Sequence, residues 1–217
     1  MKVVIIPALN EEKTIGLVIS NALNYVDEVI VVDDGSSDRT KIIAEKNATV
    51  ISHCMNKGYD FSLNNGFKEA VKKGADIIIT MDADGQHFAE DIPKIIAIIN
   101  DGADIVVGLR PYRARFMESV FASYGKRKGI LDPLCGFKVY KTSVYKDIGF
   151  FDNINSIGTQ LTFVAQKKGY KISNFKIKLK KRKDVPRFGR LFVANVKLFF
   201  AFLKLVTYLY KMDSTNK

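Results

Sequence analysis

The chain has 217 residues, 47% of them apolar and 26% charged, and carries no internal repeat and no low-complexity linker, so one domain with an ample core is within reach. Its net charge of +11 is divided unevenly: residues 1–110 hold 11 Lys and Arg against 17 Asp and Glu, whereas residues 111–217 hold 23 against 6. Two cysteines, Cys54 and Cys135, without metal-ligand spacing, and only two histidines, His53 and His87, exclude a multi-histidine zinc site and point to reduced, structural thiols.

The elements follow one another with β-α-β arithmetic. A first strand is predicted over residues 3–6, ending in Pro7-Ala8-Leu9-Asn10-Glu11-Glu12, with a helix over 14–24 behind it. Only four apolar residues separate Met1-Lys2 from Pro7, too few for the hydrophobic region of a signal peptide, and the chain is expected to stay in the cytoplasm. A second strand over 28–32 runs into Asp33-Asp34-Gly35-Ser36-Ser37-Asp38, where a carboxylate can accept from a base N–H or a ribose hydroxyl while Ser36, Ser37 or Asp38 caps the helix over 40–46. Further strands are predicted over 49–52, 76–81 and 105–109, and further helices over 61–73 and 89–100, with His53 ending a strand in a loop.

Asp82-Ala83-Asp84-Gly85-Gln86-His87 directly follows the apolar run ending at Met81. Ligands of open α/β sheets collect beyond the carboxyl ends of such buried strands. Two hard oxygen donors at i and i+2, with a tight glycine turn and the carbonyl of Gln86, suit Mg²⁺ or Mn²⁺ bridging to a diphosphate. His87, beside this turn, is placed to touch phosphate. The alternative is an Asp-rich turn that caps the next helix.

The basic half suits an anionic membrane surface, nucleic acid or the phosphates of a substrate. No helix-turn-helix, zinc finger or aromatic RNA-binding signature appears, so no nucleic-acid partner is expected. Residues 191–212 form an apolar helical run in which Lys197, Lys204 and Lys211 recur every seven residues, a narrow polar stripe on a cylinder about 33 Å long. Spanning a bilayer would place Lys204 near its centre at about 2.5–3.5 kcal/mol, whereas lying in the interface gives each lysine a headgroup partner worth about 1 kcal/mol. A monotopic anchor is favoured over a helix that covers the sheet or joins two subunits of a homo-oligomer.

Pro7-Ala8-Leu9-Asn10-Glu11-Glu12, Val32-Asp33-Asp34-Gly35-Ser36, Asn56-Lys57-Gly58, Asn65-Gly66-Phe67, Asp82-Ala83-Asp84-Gly85-Gln86-His87 and Cys135-Gly136-Phe137-Lys138 stand in one order along the chain. In these blocks the sequence resembles the family-2 glycosyltransferases, and within them the dolichyl-phosphate mannose synthases and bacterial polyprenyl-phosphate glycosyltransferases. The resemblance is dense over residues 1–110 and looser to Gly189.

It implies a GT-A fold of the α/β class: a mixed, mostly parallel sheet flanked by helices, with a nucleotide-sugar-binding half (1–110), an acceptor half (111–190) and an amphipathic C-terminal helix and tail (191–217). It implies nucleotide-sugar contacts at Pro7, Ala8, Asn10, Glu11, Asp33, Asp34, Lys57, Asp82 and Ala83. A metal, Mg²⁺ or Mn²⁺, is expected on Asp82, Asp84 and Gln86. The implied reaction is inverting transfer from a UDP- or GDP-sugar to a polyprenyl phosphate on the cytoplasmic face of a membrane. Such an acceptor is already anionic and needs no strong base.

The catalytic candidates are Asp84, Asp132, Arg110 and Arg187, the last in Arg187-Phe188-Gly189, with Arg182 and Arg190 as further phosphate ligands. Asp132 takes a proton if the acceptor is a sugar hydroxyl and orients basic groups if it is a phosphate. Two departures stand out: the 21 residues between Arg110 and Asp132, with Arg113, Arg115, Lys126, Arg127 and Lys128, form a compact acceptor region, and Gln160-Leu161 replaces the family's Glu-Leu. A glycosyltransferase with a soluble or glycan hydroxyl acceptor, and a non-catalytic nucleotide-binding or basic scaffold, are the other readings.

Overall fold

The computed structural model describes residues 1–113, 115–180 and 191–215. Seven strands form one sheet: β1 (Lys2–Ala8), β2 (Glu28–Asp33), β3 (Thr49–Ser52), β4 (Ile77–Thr80), β5 (Ile105–Leu109), β6 (Lys138–Lys141) and β7 (Ile172–Lys176). Their spatial order is β3-β2-β1-β4-β6-β5-β7. All pairs are parallel except those of β6, which runs antiparallel to both β4 and β5. The carboxyl ends of the six parallel strands therefore meet the amino end of β6 along one edge. Thr80 opposite Lys138 fixes that register.

Helices α1 (Ile15–Leu23), α2 (Thr40–Ala44), α3 (Tyr59–Lys72) and α4 (Ile92–Asn100) connect the first five strands, and α5 (Phe116–Lys126), α6 (Thr142–Ile148) and α7 (Gln160–Lys167) follow. The strands read as continuous apolar runs because both faces are covered: Val3, Val4, Ile5 and Ile6 are wholly buried, as are Ile78 and Ile79. Gly66 lets α3 lie directly on β1, since a Cβ there would overlap Ile5 Cγ2. Beside it Phe67 centres an aromatic cluster, 4.8 Å from Phe151 and 5.4 Å from Tyr140.

The predicted strands and helices of the first half are all present, with ends shifted by one or two residues. The helix expected over 89–100 is the exception: a 3-10 turn, Ala89–Asp91, precedes α4. Pro93 supplies the reason, because proline fits the first turn of a helix, where its missing N–H has no partner to lose, but not its interior.

The expected C-terminal helix is present as α8 (Leu191–Thr215), with buried apolar positions alternating with exposed ones that include the three lysines. Ala194, Leu198, Ala201, Leu205 and Leu209 are buried against the body, where α8 packs on α5 and α7. Phe192, Phe199, Phe200, Leu203 and Tyr210 are exposed, as are Lys197, Lys204 and Lys211. By length and composition, residues 192–214 are long and apolar enough to cross a membrane. Cys135 is buried as expected of a structural thiol, but Cys54 lies exposed just past β3.

Candidate active site

The loops at the carboxyl edge are fastened to one another. After β1, Asn10 adopts a left-handed backbone, φ 51°, and its side-chain oxygen accepts the Ser37 N–H at 2.8 Å while its own N–H donates to Ser36 Oγ at 2.9 Å. The Glu11 N–H donates to Thr40 Oγ1 at 2.7 Å, and the buried Glu11 carboxylate accepts from Thr14 Oγ1 at 3.0 Å. Asp38, not Ser36 or Ser37, meets the start of α2, accepting the Thr40 N–H at 2.9 Å. Pro7 and Ala8 are the last residues of β1, where Ala8 faces Asp33 in the register.

Asp33 is buried and accepts the Ser36 N–H at 3.3 Å. Asp34 is committed within the protein: it accepts from His53 Nδ1 at 2.7 Å and from the N–H groups of Lys57 and Gly58, each at 2.8 Å. His53 in turn accepts from Asn65 Nδ2 at 2.9 Å, so its proton is on Nδ1. This chain ties three motif blocks together, and a nucleotide contact by Asp34 has to be made on top of it. Gly35, at φ 78°, lies against the backbone of Met55 and Asn56, where no Cβ fits. Lys57 is exposed, its ammonium 4.8 Å from the centre of the Phe61 ring.

A cavity of about 390 Å³ opens at the same edge, and Asp82, Asp84, Gln86, His87, Arg110 and Arg115 all line it. Ala83, between the two aspartates, is buried. His87 is buried too, and backs the turn instead of reaching out to a phosphate: its Nε2 donates to Asp82 Oδ2 at 3.2 Å, and its ring lies 5.3 Å from that of Phe137. Because a carboxylate only accepts, Nε2 carries the proton, and the buried Nδ1 has no hydrogen-bond partner among the described residues. Opposite, Gly136 makes room for the Asp82 carboxylate, since a Cβ at that position would fall on its oxygens. Asp84 Oδ1 accepts the Gln86 N–H at 3.1 Å. Gln86 is clamped to Lys180, donating Nε2–H to its carbonyl at 3.3 Å and accepting its N–H at 2.8 Å, which leaves Oε1 as the side-chain atom able to ligate.

This donor set fits a divalent metal of the kind that binds through one or two carboxylates and fills its remaining positions from substrate phosphates. No cluster of three or more His, Cys, Asp or Glu side chains able to hold an ion occurs among the described residues, so the protein alone offers no closed cage.

Arg110, directly after β5, also lines the cavity and meets Asp132 fork to fork: Nε donates to Oδ2 at 2.7 Å and Nη2 to Oδ1 at 2.8 Å, with the Arg110 N–H also on Oδ2 at 3.2 Å. Burial alone would lower the guanidinium's pKa, but the hydrogen bonds and charge of Asp132 outweigh it and hold the group above its ordinary value. Asp132, 1% exposed, thus acts as the holder of Arg110, and of the two roles expected for it the geometry supports orientation. The Cys135 thiol, at the cavity wall, is pushed up to about 12 by burial and then by Asp132, so it is no thiolate nucleophile.

Sequence reasoning missed Glu118, Tyr59 and Ile157 in the cavity wall. Glu118 pairs with Arg115 at i,i+3 and had that spacing as a signal; Ile157 had none, because its place depends on a left-handed backbone, φ 58°, held by Asp60 accepting its N–H at 3.0 Å. Gln160 is wholly buried and accepts the Asn153 N–H at 2.7 Å, a structural use of the position where an acid was expected. Arg182, Arg187 and Arg190 lie outside the described residues.

Residues 3–160 match the family described as Glycosyl transferase family 2. The chain belongs to this family. A UDP-N-acetylglucosamine–dolichyl-phosphate N-acetylglucosaminyltransferase of Methanococcus voltae is 44% identical to this family-2 chain over 126 residues, covering 49% of the chain and 50% of that protein. A dolichol-phosphate mannosyltransferase of Pyrococcus furiosus is 32% identical over 196 residues, covering 78% and 53%. The chain thus spans about half the length of these two relatives. The crystal structure of glucosyl-3-phosphoglycerate synthase from Mycobacterium tuberculosis with Mn²⁺ and UDP-glucose superposes with a TM-score of 0.74 at 20% identity, over 94% of this chain and 79% of that one, which shows the shared GT-A-type fold.

Proposed function

We propose that this family-2 glycosyltransferase transfers a sugar, with inversion, from a UDP- or GDP-sugar to a polyprenyl phosphate at the cytoplasmic face of a membrane. The observation that carries the reading is that the Asp82–Asp84 turn and Arg110, held by Asp132, line one cavity. The acidic turn suits a metal-bound diphosphate and the arginine an anionic acceptor. The dolichyl-phosphate substrates named for two relatives support the acceptor.

Asp82 and Asp84, with Gln86, are the residues that would hold Mg²⁺ or Mn²⁺. When bound, such an ion neutralises charge on the departing diphosphate. His87 and Gly136 fix where the Asp82 carboxylate points, one by a hydrogen bond and one by leaving space. The loops at Pro7, Ala8, Asn10, Glu11, Asp33, Asp34 and Lys57 lie along the same edge and supply the nucleotide shelf in this reading. An acceptor phosphate brings its own anionic oxygen, so the chain's task is to place it, and Arg110 held by Asp132 offers a fixed positive group for that. Residues 1–110, apart from Arg110 at their end, then serve the donor and residues 111–190 the acceptor.

The exposed apolar face of α8 with its three exposed lysines suits an anionic bilayer surface. Leu198 of the same helix lines the cavity, so a lipid-borne phosphate approaching along α8 arrives beside Arg110.

The test is transfer from radiolabelled UDP- and GDP-sugars to polyprenyl phosphate, first with Mn²⁺ or Mg²⁺ and then with a chelator. Metal-dependent label in the lipid phase is the expected result. Donor hydrolysis without lipid label contradicts the acceptor assignment and favours a hydroxyl acceptor, and absence of nucleotide-sugar binding contradicts the enzyme reading altogether.

A further inference from the structure

Arg110 and Arg115 both reach the cavity, and one buried carboxylate stands between them. Arg115 is extended, φ −129° and ψ 145°, and the first turn of α5 begins directly behind it. That turn folds Glu118 back over it: the Glu118 N–H donates to the Arg115 carbonyl at 3.1 Å, and Arg115 Nη1 donates to Glu118 Oε1 at 2.8 Å. The same Oε1 lies 3.7 Å from Arg110 Nη1. Glu118 is 3% exposed, yet it borders the cavity.

Arg110 is therefore held on two sides, by Asp132 through Nε and Nη2 and by Glu118 at Nη1. The turn that carries Glu118 is itself anchored from α8, where Asn195 Oδ1 accepts the Met117 N–H at 3.0 Å, a helix-start donor that has no partner within α5. A carboxylate this buried needs paired cations, and the two arginines paired with it among the described residues both line the cavity.

We propose that Glu118 is a positioning residue for the acceptor: it locks the guanidinium of Arg115 beside that of Arg110 so that one phosphate meets both in fixed orientation. The inference rests on the polyprenyl-phosphate reading given above. Its physical basis is preorganisation, since an arginine already held in place gives up less side-chain freedom when phosphate binds. The opposite role is also physically distinct: a carboxylate that merely neutralised the arginines would compete with phosphate, and removing it would tighten acceptor binding.

The sign of the change in acceptor KM separates the two. Initial rates of the full chain are measured against polyprenyl phosphate at saturating donor, and against donor at saturating acceptor, for wild type, Glu118→Ala and Glu118→Gln. The expected result is an acceptor KM raised about tenfold in Glu118→Ala, with donor KM within about twofold of wild type and part of the loss recovered by Glu118→Gln, which keeps one oxygen for Arg115. An acceptor KM that is unchanged or lower overturns the proposal, as does a glutamine variant no better than alanine. If the alanine variant does not fold, the near-isosteric glutamine variant decides: an acceptor KM raised about threefold or more supports the proposal, and any smaller rise overturns it. If wild type transfers no label to polyprenyl phosphate, the acceptor reading falls and the inference with it; if wild type transfers and the KM does not rise, only the role of Glu118 falls.

Discussion

Arg110 and Asp132 illustrate how a buried ion pair is held together by geometry. The guanidinium fork uses both carboxylate oxygens, at 2.7 and 2.8 Å, and if Asp132 turns away the half-buried guanidinium keeps only the longer contact with Glu118, at 3.7 Å. Asp132→Ala should therefore cost about 3–5 kcal/mol in urea unfolding, far more than an exposed pair would. A loss below about 1 kcal/mol would show that the pair is not buried as described. A second residue-scale expectation concerns Asp60, which accepts the N–H groups of Ile157 at 3.0 Å and Gly158 at 2.6 Å. Burial first, and then the charge of Asp152, push its carboxyl up to about 7 from an ordinary 3.8. The native state then holds a proton that the unfolded chain has released, so this contribution to stability is whole below the ordinary value and is lost as pH rises through about 7. Lys138, lowered to about 8 chiefly by burial, is charged in both states over the lower part of this range and starts to lose its native-state proton only towards the upper end. Melting midpoints from about pH 5 to 8 should fall more steeply for wild type than for Asp60→Asn, and equal slopes would contradict the assignment.

At the scale of elements, the close contact of α3 with β1 makes Gly66 a sensitive position. Gly66→Ala forces a methyl group onto Ile5 and should destabilise the fold by about 1–3 kcal/mol, measured by denaturant unfolding; a neutral effect would mean the helix can lift off the strand freely. Helix α8 gives a paired test of its two faces. Leu205 is wholly buried, and Leu205→Ala should cost about 2–5 kcal/mol of stability. Phe199 and Phe200 are exposed, and replacing both by alanine should leave the melting midpoint in place while weakening co-sedimentation with anionic vesicles; unaltered sedimentation would separate α8 from the membrane.

The strands β1, β2, β4 and β5 were legible because each is a short apolar run buried on both faces, whereas β3, a half-buried edge strand, was marked by its β-branched run Thr49-Val50-Ile51. The strands β6 and β7 were not. Lys138-Val139-Tyr140-Lys141 begins and ends in lysine, and its buried Lys138 donates to the carbonyl of Gly158, twenty residues on, at 2.6 Å. Strand β7 lies at the sheet edge, none of its residues is buried, and no apolar run marks it.

For the whole molecule, the position of β6 governs how the site is assembled. Inserted antiparallel between β4 and β5, it brings Gly136 against Asp82 and carries Asp132 to Arg110, so that residues from distant parts of the chain meet at one edge. The acidic turns were readable because their chemistry sits in consecutive residues at strand ends. Glu118, Ile157 and the inward use of Asp34 were not, because they depend on which loop lies next to which. One cavity is thus lined both by carboxylates, Asp82 and Asp84, and by guanidinium groups, Arg110 and Arg115.

The central claim is that the Asp82–Asp84 turn binds a nucleotide sugar through a divalent ion. Calorimetric titration of UDP- and GDP-sugars into wild type and Asp84→Asn, with and without Mn²⁺, addresses it most directly. One donor should bind wild type only when the ion is present, and the variant, with an unchanged melting midpoint, should bind at least about tenfold more weakly. Equal binding without Mn²⁺, or equal binding by the variant, would contradict the account.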